Sequence, residues 1–273
     1  ALDAAKLTNV NLEIIRPKKG KPTDYAKEYK DALQLAITKK TDGIFFSIQN
    51  EALIQDFVTK AKKANIPLIS INSGLVASKK LHLMAHIGQD DYLAGLKAGL
   101  TVRSIGVKSI LCITSIDKNH LGADYRCKGF RDAFHDKSKY NRFVLSSATQ
   151  EKDRQTLASY LQKHTDVDTI FTVDLDSFDA AYKLAIGKFK SQIRVFIASD
   201  ANKNILNAIK DGKVMLTVSQ QEYLQGFLPV LFFAQLKTSG LSPLDFVATG
   251  PLLININNVN KYIKDRRALG LLM

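Results

Sequence analysis

A chain of 273 residues that is 45% hydrophobic can bury two cores or one large one, and no run in it approaches the roughly 18 apolar residues that a membrane span requires. The net charge of +13 invites a nucleic-acid reading, but only nine of the 39 basic residues are Arg and the lysines are spread along the whole length. Readers of phosphates and bases concentrate Arg and Lys on one element, so no nucleic-acid partner is expected and the charge is read as a solvated lysine-rich surface.

In chain order, apolar runs that end in small or polar residues predict strands at Asn11–Ile15, Gly43–Ile48, Leu68–Asn72, Ser109–Thr114, Phe143–Ser147, Thr169–Val173, Val195–Ser199 and Val214–Val218. Between them, apolar residues at helical spacing predict helices at Asp24–Lys39, Glu51–Ala64, Asp90–Ser104, Ala123–His135, Asp153–His164, Phe178–Phe189, Asn202–Lys210 and Glu222–Leu236. Thr23, Asn50 and Asp90 precede helices as caps for the free N–H groups of a first turn. Gly95 and Gly99 fall on one helix face, which predicts close approach to a neighbouring element. The alternation is a βαβ series and implies parallel sheets with right-handed crossovers. In such folds ligands bind beyond the carboxyl ends of strands, where NIPLISINSG places Asn72, Ser73 and Gly74.

Motifs for other chemistry are missing. There is no GxxxxGK[ST] and no GxGxxG after a strand, so no nucleotide cofactor is expected. DLDSFD at Asp174–Asp179 lacks the sixth-position glycine and the distant glutamate of a calcium loop. Ser73 sits in NSG rather than GxSxG, and the five histidines have no metal-ligand spacing, so neither an enzyme nor a metal site is expected. Cys112 and Cys127 are too far apart for a CxxC motif. Buried thiols are the expected state, with a disulfide as the alternative, which would argue for an oxidising compartment.

The ordered set IPLISINSG, HIGQDDYLAG, LCITSIDKNHLGADYRCKGF, TIFTVDLDSFDAAYKL, VFIASDANKNILNAIKDGKVMLTVSQQEYLQG and TGPLLININNVNKY resembles the type I periplasmic sugar-binding proteins, nearest to ribose-binding-like subunits of ABC transporters. The match runs nearly end to end. It implies two Rossmann-like α/β lobes with parallel sheets, residues 1–86 plus 221–248 and residues 87–220 plus 249–273, joined by three hinge strands and closing on a sugar. The crossings are expected near His86–Gln89, Ser219–Glu222 and Thr249–Pro251.

Carried onto this chain, the resemblance implies sugar contacts from Asn72 and Ser73, where relatives often carry Asp and Arg, and from Arg126, Asp174, Asp200 and Gln220. Asn119 and His120 lie in a loop that often donates one further contact. A neutral polyol offers donors and acceptors on every hydroxyl, so carboxylates, amides and a guanidinium together suit it. Each residue has a plainer alternative: an Arg126 ion pair with Asp124, helix capping by Asp174 or Asp200, and cross-linking of hinge backbones by Gln220.

Family members begin with a strand and an aromatic sugar-stacking loop, whereas this chain opens on ALDAAKLTNVNLEII, which looks like the helix that follows. A truncated sequence is therefore expected, with a gap in the first lobe's sheet and Phe46, Tyr223 or Phe178 as substitutes for the aromatic wall. The implied function is capture of a simple sugar or polyol by a monomer, without any cofactor, and delivery to an ABC permease outside the cytoplasmic membrane, in the periplasm or an equivalent space. The alternative is the effector core of a lactose-repressor-type regulator, which shares the fold.

Overall fold

The computed structural model describes residues 1–15, 22–48, 50–114, 121–135, 138–145, 150–242 and 245–271. The chain folds as two compact α/β units, Ala1–Gln89 with Gln221–Thr249 and Asp90–Gln220 with Gly250–Met273, so the backbone passes between them three times.

The first unit opens with α1 (Leu2–Thr8), α2 (Pro22–Thr38), β1 (Ile44–Ser47), α3 (Gln55–Lys63), β2 (Leu68–Asn72), α4 (Leu75–Lys80) and β3 (Ala85–Gly88). The second unit follows with α5 (Asp91–Val102), β4 (Ser109–Thr114), α6 (Leu121–Asp132), β5 (Lys139–Val144), α7 (Gln150–Lys163), β6 (Thr169–Thr172), α8 (Leu175–Ile186), β7 (Val195–Ser199), α9 (Lys203–Lys210) and β8 (Leu216–Ser219). The chain then returns to the first unit with α10 (Glu222–Ser239) and β9 (Phe246–Ala248), and ends in the second with β10 (Leu252–Asn255) and α11 (Val259–Ala268).

In the first unit the strands run parallel in the order β1-β2-β3-β9. One face packs Phe46, Ile48 and Leu68 against Leu33, Phe57 and Ala61 of α2 and α3; the other packs Ile69, Ala85 and Ile87 against Leu228, Phe232 and Phe233 of α10. These four strands form one continuous ladder. The predicted strand Asn11–Ile15 does not form. Its side chains still divide as a strand's would, Leu12 joining Phe45 and α10 while Ile15 joins the α2 and α3 side, but among the described residues no neighbouring strand takes up its backbone groups in a ladder.

The second unit holds a six-stranded sheet in the order β10-β8-β7-β6-β4-β5, parallel except for antiparallel β10. The period-2 alternation of its strands separates two cores. Leu111, Ile113, Ile170, Phe196 and Ala198 face α7, α8 and α9, whereas Ile110, Cys112, Phe171, Val195 and Ile197 face α5 and α6. Phe46 lies in the first unit's core and Phe178 in the second's, at 6% and 1% exposure, so neither serves as an aromatic wall.

Helices α5 and α6 approach closely because glycines meet carbonyls. A Cβ on Gly95 would lie 1.9 Å from the Arg126 carbonyl oxygen, and one on Gly129 would lie 2.0 Å from that of Tyr92. The neighbours are backbone atoms and cannot swing aside. Gly95→Ala is therefore expected to push the helices apart and cost about 1–3 kcal/mol of stability or more by overpacking, read as a lower denaturant midpoint. An unchanged midpoint would show that the helices can separate freely.

Candidate ligand-binding site

Strands β6, β7 and β8 lie side by side, so the residues that follow them are ranked along one edge of the second unit's sheet. Asp174 comes two residues after β6, Asp200 directly after β7, and Gln220 directly after β8. Asp174 caps α8, its carboxylate accepting from the Ser177 N–H at 2.7 Å within a capping box. Asp200 stands at φ 69°, in the left-handed region that Asp tolerates better than most residues, and its carbonyl accepts from Thr217 Oγ1 at 2.5 Å. Gln220 donates its amide to Asp200 Oδ1 at 2.7 Å. The cap expected of Asp200 is made by Asn202, which accepts from the Ile205 N–H and so leaves Asp200 to a different environment.

Arg126 reaches this edge from α6 and is 5% exposed. Its Nε donates to Asp91 Oδ1 at 2.8 Å and its Nη1 to the Val173 carbonyl at 2.7 Å, fixing the plane of the guanidinium. The alternative pairing with Asp124 does not occur, because Asp124 pairs with Arg142 on β5. Burial opposes the charge on Arg126, but Asp91, Asp200 and Asp174 together more than offset it and hold the group above its ordinary pKa. Burial pushes the Asp200 carboxyl up; Arg126 and the Gln220 amide pull it back, while Asp174 and Asp91 add to the rise.

A raised carboxyl pKa means that folded Asp200 binds its proton more tightly than the unfolded chain does. Stability without ligand should therefore fall as pH climbs from about 4 through the raised value, and level off above it. Asp200→Asn keeps an acceptor for Gln220 and removes the charge. It should flatten that component of the slope and raise the neutral-pH melting point by about 2–4 °C for each kcal/mol recovered. Parallel stability curves for the two proteins between acid and neutral pH would refute the assignment.

In the first unit Asn72 ends β2 with φ 65°, the same left-handed turn as Asp200, and Ser73 beside it is 2% exposed. The Ser73 hydroxyl lies 3.5 Å from Asn72 Oδ1, and the Ser73 carbonyl accepts from the Ile48 N–H. Asn119 and His120 lie outside the described residues. Four expected residues, Arg126, Asp174, Asp200 and Gln220, thus form one polar cluster, and Asn72 and Ser73 form a strand tip of their own. Asp91 joins the cluster unforeseen. Its signal was the pair Asp90–Asp91 in QDDYLAG: Asp90 caps α5 by accepting from the Leu93 N–H, while Asp91 shares the buried face of Gly95 and Gly99 at helical spacing. Among the described residues no group of His, Cys, Asp and Glu could hold a metal ion, and no helix is long and apolar enough to cross a membrane.

The two cysteines form a disulfide, contrary to the expectation of buried thiols. Alternation along β4 aims Cys112 at α6, and Cys127 follows Arg126 on that helix, with 5.9 Å between the Cα atoms.

Residues 2–240 match the family described as periplasmic binding protein domain. The chain belongs to the periplasmic binding protein family. Sugar binders are among the proteins similar to it. The xylose/arabinose-binding protein XylF of Sulfolobus acidocaldarius is 24% identical over 261 residues, which cover 87% of this chain and 62% of that relative, so the chain spans under two thirds of its length. A carbohydrate transporter structure from Acidothermus cellulolyticus 11B in complex with myo-inositol superposes with TM-score 0.87 at 26% identity, over 98% of this chain and 91% of that one. A LacI-type transcriptional regulator structure from Bacteroides fragilis shares the fold, with TM-score 0.81 at 19% identity over 96% of this chain and 91% of its own.

Proposed function

We propose that this periplasmic binding protein captures a simple sugar or polyol by hinge closure and delivers it to an ABC permease. The observation that carries the proposal is the cluster of Arg126, Asp91, Asp174, Asp200 and Gln220 at the carboxyl edge of β6, β7 and β8. One guanidinium among three carboxylates and an amide offers both donors and acceptors to hydroxyl groups. In this reading Arg126, Asp174, Asp200 and Gln220 bind one side of the ligand, and Asn72 with Ser73 binds the other. Contacts made only in the closed state shift the population towards it, and no bond is made or broken.

Several features support the setting. The family and the sugar-binding relatives favour transport, and a disulfide persists in an oxidising space such as the periplasm. The same disulfide weighs against the second reading, the effector core of a lactose-repressor-type regulator, although the Bacteroides fragilis neighbour has that fold. The protein works as a monomer in this proposal.

A thermal-shift screen against pentoses, hexoses and inositols tests it. A ligand bound only by the folded state adds about 2.7 kcal/mol of stability at a hundredfold excess over Kd. At least one neutral polyol should raise the melting point in a saturable way. A full panel without a shift, or chemical turnover of a sugar, would contradict the proposal.

A further inference from the structure

The buried carboxylate of Asp91 stands beside the residue that caps its helix. Asp90 accepts from the Leu93 N–H, whereas Asp91, at 7% exposure, turns inward and takes the Arg126 Nε. A carboxylate left in such a place without a partner would be strongly disfavoured, so its position and that of Arg126 depend on each other. The backbone sets the distance between them, because the Gly95 and Gly129 contacts lock α5 against α6 one turn from the ion pair. With Nε held by Asp91 and Nη1 by the Val173 carbonyl, Nη2 is the guanidinium nitrogen with no hydrogen-bond partner among the described residues. Val173 immediately precedes Asp174, so that nitrogen is held close to the strand edge occupied by the candidate ligand contacts.

The charge of the cluster follows from the same pair. Asp91 cancels the guanidinium, and Asp174 and Asp200 remain as further acidic groups around it. A ligand that brings its own negative charge meets a half-site already acidic, whereas a neutral ring of hydroxyls can donate to the carboxylates and accept from Nη2.

We propose that Asp91 is the positioning residue of this site: it holds Arg126 so that one nitrogen faces the ligand, and it sets the charge that selects neutral polyols over sugar acids and sugar phosphates. The inference rests on the sugar-binding reading above and deepens it.

The test uses the whole chain and two variants, Asp91→Asn, which keeps an acceptor for Nε, and Asp91→Ala, which removes it. Arginine labelled with nitrogen-15 reports the Arg126 Nε–H without any ligand: its exchange with solvent should be slow in the wild type and in Asp91→Asn, and fast in Asp91→Ala. Titrations with D-xylose, D-arabinose and myo-inositol, against D-xylonate, D-arabinonate and myo-inositol phosphate, report selectivity. Asp91→Ala should weaken neutral ligands about tenfold or more, as expected for loss of a charge-assisted contact. Asp91→Asn should narrow the preference for neutral over anionic probes about threefold or more, since one acidic charge is gone.

Retention of Nε–H protection in Asp91→Ala would overturn the positioning role. If that variant does not fold, Asp91→Asn decides alone: lower stability with an unchanged neutral-to-anionic ratio would reduce Asp91 to a packing residue. A wild-type chain that binds none of the neutral probes would instead refute the sugar-binding reading, while the exchange measurement would still decide whether Asp91 holds Arg126.

Discussion

Arg126→Ala is expected to cost the ligand-free protein about 3–5 kcal/mol, the range found when one partner of a buried ion pair is removed. The reason is what remains. Asp91 would keep its buried carboxylate without the guanidinium, the Val173 carbonyl would lose its donor, and Asp174 and Asp200 would lose the nearby positive charge. Ligand affinity should fall as well, by about 1.5–3 kcal/mol for the lost charge-assisted contact. The two effects separate by measurement, denaturant unfolding without ligand for the first and calorimetric titration of the folded fraction for the second. Unchanged affinity in a folded variant would remove Arg126 from the site.

The second large effect is that of the disulfide. Cys112 and Cys127 stand 15 residues apart, and a closed loop of that length stabilises by about 3 kcal/mol in the chain-entropy view. Replacing both with Ala, or unfolding the protein in the presence of a reductant, should lower stability by that amount. Both cysteines are nearly sealed from solvent, at 0% and 2% exposure, so reduction of the folded protein should be slow and should follow unfolding. Equal unfolding curves with and without reductant, with thiols shown to be free, would contradict the expectation. Because the bridge ties α6 to β4 next to Arg126, its loss should also loosen the ligand contact.

The parallel architecture was legible because its strands are buried on both faces. SILCIT, TIFT and VFIAS read as continuous apolar runs, and every residue of these three strands is buried. Asn11–Ile15 alternates instead of running apolar throughout and forms no strand, since apolar alternation describes the side chains and a ladder also needs a neighbour. Short α4 and the late α11 went unread: six residues of LVASKK give too little periodicity, and α11 buries only Val259 fully among its residues.

The polar cluster was partly legible. Strand ends pointed to Asn72 and Ser73, and the resemblance pointed to Arg126, Asp174, Asp200 and Gln220, but what each touches depends on packing that the sequence does not state. Asp91 was hidden beside Asp90, because adjacent acids at a helix start look like one capping signal. The disulfide was equally hidden. Its pairing follows from the face of β4 on which Cys112 lies and from the seating of α6, neither of which is carried by a spacing motif. Phe46 and Phe178 were read towards the ligand for want of another aromatic wall, and burial in the cores assigns them to packing.

A crystal structure of the chain grown with a neutral polyol that shifts its melting point would test the central claim most directly. Ligand oxygens should lie about 2.6–3.2 Å from the polar atoms of Arg126, Asp174, Asp200 and Gln220, and a second side of the same molecule should meet Asn72. A ligand seated elsewhere, with Arg126 and the three strand-end residues unchanged and out of its reach, would contradict the account.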